Sequence, residues 1–262
     1  MEGAGVVEAI GPSVKNFRKG NRVAYAPIQG AYAQKRNIPA ARIVKVPKKV
    51  TDKEAAALML KGTTTEYLIR RTYRVKRGDT VLFHAAAGGV GLIACQWLKH
   101  LGATVVGTVG SDAKARLAKR HGCDYPINYN TEDFKEAVMD LTNGKGVPVV
   151  YDSVGKTTFV KSLECLRPRG VMALFGQSSG PVPKFDPNQL ASKGSLFLTR
   201  PSLMAYNATR RELEASTNAL FDVVSSGAVK VKISQTYPLK EAANAHKDLE
   251  ARKTTGSTVF RV

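Results

Sequence analysis

Residues Thr80 to Gly91 read TVLFHAAAGGVG: an apolar run of strand length, a glycine-rich turn, and the opening of an apolar helix. Thr80 to Phe83 has the unbroken hydrophobicity of a strand buried on both faces. Gly88, Gly89 and Gly91 follow where a chain must turn sharply and come close to a phosphate, and the helix predicted over Val90 to Leu101 aims its free amides and positive dipole end at that anion. The turn is AxxGxxG (Ala85, Gly88, Gly91), without the first glycine of the usual dinucleotide fingerprint, so its surroundings must carry the reading. They do. Further strand-like runs lie at Thr104 to Val109, Tyr125 to Asn128, Val147 to Asp152, Gly170 to Phe175 and Ser195 to Thr199, most of them separated by helix-length segments. That alternation predicts an α/β fold, a Rossmann-type doubly wound parallel sheet with the glycine turn after its first strand.

The flanks look different. Residues 1 to about 50 carry short β-like pieces (Gly5 to Ile10, Arg22 to Ala26, Ala31 to Ile38, Ile43 to Val46) between Gly, Pro and Asn turns. Thr51 with Glu54 forms a capping box that starts a helix over Lys53 to Met59, and KGTTTEYLIRRTYRV follows as a second helical stretch. Thr209 with Glu212 repeats the capping box and opens an amphipathic helix ending at Gly227. Val229 to Ile233 and Ser257 to Val262 read as strands around a helix from Leu239 to Arg252, returning the chain to a β-rich lobe. The expected domains are therefore 1–60 (β lobe), 61–200 (nucleotide domain, with helix 209–227 packed on it) and 228–262 (β lobe again).

The 262 residues include 43% hydrophobic side chains, enough for one large core and a smaller second one. No apolar stretch approaches the roughly 20 residues that span a bilayer, and MEGAGVVEAIGP lacks the regions of a signal peptide, so the expected compartment is the cytoplasm, with no membrane contact. Cys95, Cys123 and Cys165 form no CxxC pair and have no nearby histidine, which argues against zinc tetrad and disulfide framework alike. A net charge of +19 favours phosphate-bearing ligands, nucleic acid or an acidic surface. Apart from Arg70, Arg71, Arg74, Lys76 and Arg77, and the pair Lys119 and Arg120, the basic residues are spread out, which also fits a solvated, self-repelling surface.

The second strand of an NAD-binding sheet usually ends in an acidic residue for the ribose 2′-hydroxyl. Here it ends in Gly110 and Ser111, with Lys114 one turn into the next helix and Tyr129 after the third strand. A hydroxyl, an ammonium and a phenol suit a 2′-phosphate, which predicts NADPH over NADH. Asp112 keeps two other roles open, helix cap or acidic ribose ligand.

HAAAGGVG (84–91), GTVGSDAK (107–114), INY (127–129), VVYDSVG (149–155), LFGQSSG (174–180), LTRPSL (198–203) and LEARKTTGS (249–257), in this order, closely resemble the NADPH-dependent quinone oxidoreductases of the medium-chain dehydrogenase/reductase superfamily, the branch that includes zeta-crystallin. The resemblance covers essentially the whole chain. It implies a Rossmann domain joined to a GroES-like β domain, NADPH as cofactor, hydride transfer to a quinone or related electron-poor enone, and a homodimer pairing the apolar edge near Ser195 to Leu203. It further implies that Gly88, Gly89, Val90 and Gly91 meet the pyrophosphate, and that Gly110, Ser111, Lys114, Tyr129 and Arg252 surround the adenosine phosphate. Thr64, Tyr67, Val154, Phe175, Gly176, Gln177 and Ser178 would lie along the cofactor toward the nicotinamide.

Two departures from the zinc-dependent members imply a zinc-independent reaction: Met1 of MEGAG stands where their GHExxG motif has histidine, and VAYAPIQGAYAQ has no counterpart of their four-cysteine lobe. Hydride transfer needs orientation and a donor for the developing oxyanion, and no acid/base constellation stands out, so the catalytic residues are left unassigned. Family members carry a further N-terminal segment, which implies that this chain begins inside the GroES-like domain and has a partial catalytic lobe. That, the charge and the zeta-crystallin likeness keep a second function in view, a nucleotide- or RNA-binding protein with little catalysis.

Overall fold

The computed structural model describes residues 1–251 and 253–262. It comprises two compact units, residues 1–66 with 203–262, and residues 67–202.

In the first unit, β1 (Gly3–Val6), β2 (Arg22–Tyr25) and β3 (Val44–Lys45) form an antiparallel sheet in that order. Phe17, Val23, Tyr25 and Ile43 make its small core. Ala31 to Ile38, expected as a strand, pairs with nothing. Gly30 turns the chain (φ 88°), Arg36 Nη2 donates to the Gln29 carbonyl at 2.8 Å, and the guanidinium lies 4.7 Å from the centre of the Tyr25 ring, so local contacts replace a ladder. The two helical stretches after Thr51 are one helix, α1 (Asp52–Tyr67), continued by a π turn over Leu68–Thr72. Thr51 and Glu54 make the predicted cap, the Glu54 carboxylate accepting from the Thr51 amide at 2.8 Å.

The second unit is built on one parallel sheet: β4 (Thr80–Phe83), β5 (Thr104–Val109), β6 (Tyr125–Asn128), β7 (Val147–Asp152), β8 (Leu166–Leu174) and β9 (Phe197–Thr199), in the spatial order β6-β5-β4-β7-β8-β9. This is the doubly wound order, with the crossover direction reversing between β4 and β7. The intervening helices are α2 (Gly89–His100), α3 (Asp112–Arg120), α4 (Phe134–Leu141), α5 (Phe159–Glu164) and α6 (Asn188–Ser192). Leu82, Val106, Ile127, Val138, Val150, Phe159 and Met172 fill one face of the sheet, as continuous apolar strands require.

The chain then returns to the first unit through α7 (Leu203–Tyr206), α8 (Arg210–Ser225), β10 (Ile233–Pro238), α9 (Ala242–Glu250) and β11 (Ser257–Arg261), with β10 and β11 parallel. The helix expected to pack on the nucleotide domain is α8, and it groups with this unit. Its Leu220 methyls lie 2.5 and 2.6 Å from where a Cβ on Gly62 of α1 would stand, so only glycine admits that approach. Val229 to Ile233 is not a strand before Ile233. Val229 is fully buried behind the end of α8, its amide donating to the Val223 carbonyl at 3.0 Å. Among the described residues no helix is long and apolar enough to cross a membrane.

Among the buried polar groups of the parallel sheet is a histidine. His84, directly after β4, lies 2.8 Å through Nδ1 from Thr108 Oγ1 and 2.8 Å through Nε2 from Ser162 Oγ, with Phe134 edge-on to the ring. Burial pushes its pKa down, only partly opposed by the Asp152 charge. The neutral ring is favoured in the fold, so the unfolded chain takes up a proton first and stability declines as pH falls below the unfolded value of about 6.5. The unfolding midpoint is expected to drop across that range, and His84→Gln should flatten this part of the profile. An unchanged slope in the variant would exclude His84 as the source.

Candidate functional site

The turn after β4 is built to leave amides free. Ala85 takes the left-handed conformation (φ 55°) that glycine would ordinarily supply, which lets the missing first glycine of the fingerprint be an alanine. Gly88 caps α2 in an extended conformation, and its amide donates to the Ala85 carbonyl at 2.9 Å. Leu92 is the first helical amide with a carbonyl partner, that of Gly88 at 2.9 Å. Among the described residues the amides of Gly89, Val90 and Gly91 have no backbone acceptor, and they share the positive end of a 12-residue helix. A Cβ on Gly91 would lie 2.4 Å from the Ala85 oxygen and 2.6 Å from the Ala86 oxygen, so the helix meets the strand this closely only because the residue is glycine.

The end of β5 forms a second cluster. The Tyr129 hydroxyl lies 2.5 Å from where a Cβ on Gly110 would stand, which brings the phenol from the end of β6 across to the end of β5. Ser111 caps α3, its hydroxyl accepting from the Lys114 amide at 3.3 Å. The Asp112 carboxylate, whose role the sequence leaves open, accepts from the Asn128 side-chain amide at 2.8 Å and is engaged there. Asn130 adds a bond from its side chain to the Gly110 carbonyl at 2.9 Å.

A third cluster follows β7 and β8. The Asp152 carboxylate is fully buried and accepts from the amides of Val154 (2.6 Å) and Gly155 (3.1 Å) and the hydroxyl of Thr158 (2.7 Å). Its own carbonyl accepts from the Phe175 amide at 2.8 Å, and the Ser153 and Val154 carbonyls accept from Ser178 (3.0 Å) and Ser179 (2.9 Å). The loops carrying Val154 and Phe175 to Ser178 are thereby laced together, with the Phe175 ring 5.8 Å from that of Phe83 at the end of β4. Asp152 was visible in VVYDSVG but not singled out there. An aspartate ending an apolar strand just before a Gly turn was its only signal.

These three clusters occupy the carboxyl edge of one sheet around its switch point, where open α/β sheets bind ligands. Of the remaining expected residues, Thr64 is half-buried on α1, Tyr67 is buried at that helix's end, and Arg252 lies outside the described residues. A cavity of about 1450 Å³ in the first unit, lined by Tyr25, Tyr32, Arg36, His246 and Phe260 among others, includes none of the expected site residues. The three cysteines are buried free thiols; a hydrogen bond with Cys123 and burial push the Cys95 thiol well up, and burial raises Cys165 to about 12. Among the described residues no cluster of three or more His, Cys, Asp or Glu side chains is arranged to hold a metal ion.

Residues 89–218 match the zinc-binding dehydrogenase family model. The chain is 50% identical over 261 residues to a quinone oxidoreductase of Pseudomonas aeruginosa, covering 99% of this chain and 80% of that one. It is 49% identical over 267 residues to a 2-haloacrylate reductase of a Burkholderia species, covering 99% and 79%. The crystal structure of Escherichia coli quinone oxidoreductase complexed with NADPH superposes with a TM-score of 0.97 at 48% identity, covering all of this chain and 81% of that one. Fold, glycine turn and similarity along nearly the whole chain agree: the protein belongs to the quinone oxidoreductase family of the medium-chain dehydrogenases/reductases.

Proposed function

We propose that this protein is an NADPH-dependent reductase of quinones or related electron-poor enones, acting by hydride transfer without zinc. The observation that carries the reading is the glycine turn, where three unpartnered amides stand at a helix N-terminus on the carboxyl edge of the sheet. The fit is to a diphosphate: the close approach at Gly91 leaves no room for a side chain, and Gly88 to Gly91 present main chain to an anion. Relatives of nearly equal identity are called quinone oxidoreductase and 2-haloacrylate reductase, which supports an electron-poor double bond conjugated to a carbonyl as the common substrate feature.

Gly88, Gly89, Val90 and Gly91 would hold the pyrophosphate. Gly110, Ser111, Lys114 and Tyr129, with Arg252, would hold the adenosine 2′-phosphate. Val154 and Phe175 to Ser178, with Thr64 and Tyr67, would line the nicotinamide half. When bound, NADPH supplies a hydride and the quinone takes it together with one proton to become a hydroquinone. This chain's own residues orient and desolvate the reactants, with the half-exposed Phe175 ring and the laced loops fixing one wall. Zinc independence rests on the donor set, with Met1 where the zinc enzymes have histidine and no four-cysteine lobe.

Purified protein is expected to oxidise NADPH only when a simple quinone such as 1,4-benzoquinone is present; no turnover under any condition would refute the assignment. The preference for NADPH rests on Lys114, because Asp112 is engaged by Asn128 and turned to a structural role. Lys114→Ala is expected to raise KM for NADPH about 10- to 30-fold, the loss of one charge-assisted contact, while KM for NADH changes by less than about twofold. Equal effects on both cofactors would remove Lys114 from the phosphate site. We further propose a homodimer through the open edge of β9, where Phe197 is 61% exposed. A monomeric mass in solution would contradict it.

A further inference from the structure

His84 follows the apolar strand TVLF and is held from three sides. Its amide donates to the Tyr151 carbonyl at 3.0 Å, extending the ladder between β4 and β7, and its ring reaches the Thr108 hydroxyl on β5 and the Ser162 hydroxyl on α5, each at 2.8 Å. A neutral imidazole gives its proton to one hydroxyl and accepts from the other, so both nitrogens are satisfied within the protein. Ala85 comes next, left-handed at φ 55°, a conformation that a residue with a side chain keeps only where its surroundings fix it. Here it is fixed from both flanks, by His84 on one and by the Ala86 amide, which donates to the Thr108 carbonyl at 3.0 Å, on the other. The Ala85 carbonyl in turn accepts from the Gly88 amide at 2.9 Å and is one of the surfaces on which Gly91 closes. His84 and Thr108 thus seat the glycine turn.

The other side of the ring leads to the 153–155 loop. The Ser162 amide donates to the Thr158 carbonyl at 2.8 Å, the Thr158 hydroxyl donates to the Asp152 carboxylate at 2.7 Å, and that carboxylate holds the Val154 and Gly155 amides. Thr108, His84, Ser162, Thr158 and Asp152 are all buried, so they form one polar chain, shielded from water, between the two loops. We propose that His84 is a positioning residue for hydride transfer, the junction that ties the glycine turn to the 153–155 loop and so holds the pyrophosphate and nicotinamide ends of NADPH in one fixed relation. The inference rests on the cofactor reading given above. Buried and bonded through both nitrogens, the ring touches no reactant and supplies no proton; it acts through the loops it joins. Packing alone does not call for a histidine here, because an apolar side chain would also meet the Phe134 ring, whose centre lies 5.0 Å away.

The test separates the two arms of the junction by NADPH titration and by steady-state turnover with 1,4-benzoquinone, well below each variant's melting temperature. Asparagine sets an amide near the position of Nδ1, and glutamine near that of Nε2. His84→Asn therefore keeps Thr108 and releases Ser162, and kcat should fall about tenfold while Kd for NADPH stays within about threefold. His84→Gln keeps Ser162 and releases Thr108, and Kd for NADPH should rise about fivefold to tenfold while kcat falls by less than about threefold. His84→Leu/Thr108→Val/Ser162→Ala removes the ring and both hydroxyls together and leaves no buried partner unpaired, so it should melt above His84→Leu and yet show both kinetic losses. Val138→Ala opens a cavity in the core beside α4, away from both loops, and should lower the melting temperature with kcat and Kd within about twofold of wild type. The same split in the Asn and Gln variants, wild-type kcat and Kd in the triple variant, or a kcat loss in Val138→Ala equal to that of His84→Asn would each overturn the proposal. Wild-type protein that binds no NADPH would refute the cofactor reading itself, and this inference with it.

Discussion

Gly91→Ala is expected to lose about 3 kcal/mol of stability and at least about 100-fold in NADPH affinity. The new Cβ would stand 2.4 Å from the Ala85 oxygen and 2.6 Å from the Ala86 oxygen, against ordinary contacts of 3.4 to 4 Å. Both obstacles are backbone, so relief requires the strand-to-helix turn to open by about 1 Å. That opening moves the free amides of Gly89 and Val90 off their common focus, and a misplacement of this size at a preorganised anion site costs about two orders of magnitude. Gly11→Ala is the matched control, because a Cβ there meets nothing within 4 Å. Thermal unfolding and NADPH titration of both variants decide the point. A Gly91→Ala protein that binds NADPH within about twofold of wild type would show that the turn does not cradle the cofactor.

The features legible in the sequence are those written in local pattern. TVLF, TVVGTV and VPVVYD are apolar on both faces, which only a sheet covered on both sides explains, and they emerge as β4, β5 and β7 within a residue of expectation. The capping boxes at Thr51 and Thr209 are equally local and both form. Ala31 to Ile38 misled because alternation implies a strand only if a partner strand is available, and Arg36 instead closes on Tyr25. Val229 looked like the start of a strand when it is the apolar plug behind α8. In the candidate site, the glycine turn could be read directly from consecutive residues. The approach of Tyr129 to Gly110 depends on the pairing of β5 with β6, and the engagement of Asp112 on a bond to a residue 16 positions away. Such placements follow from sheet register, which no short window contains.

Asp152 illustrates the same limit and carries the second large effect. Its buried carboxylate holds two amides and one hydroxyl, and no cation shares the pocket among its hydrogen-bond partners. Asp152→Ala strands the amides of Val154 and Gly155 without an acceptor, while the Thr158 hydroxyl keeps the Gly155 carbonyl at 3.3 Å, at a cost of about 3 to 5 kcal/mol. Asp152→Asn keeps an oxygen for the two amides. Its nitrogen then faces the Thr158 hydroxyl, which can accept from it and turn its proton to the Gly155 carbonyl, 3.3 Å away. Most of the stability should therefore return. Asp152 fixes the 153–155 loop, to which Ser178 and Ser179 are bonded, and in the site proposed above it would act as a positioning residue for the wall assigned to Val154 and Phe175. In Asp152→Ala, assayed below its melting temperature, KM for both NADPH and quinone should rise about tenfold or more and kcat should fall, because the loops on both sides of the reacting groups loosen together. In Asp152→Asn, KM should stay within about threefold of wild type. A variant that loses stability but keeps wild-type KM and kcat would make Asp152 a purely structural support. An Asn variant as impaired as Ala would mean that the charge itself, and not the held loop, is what the reaction needs.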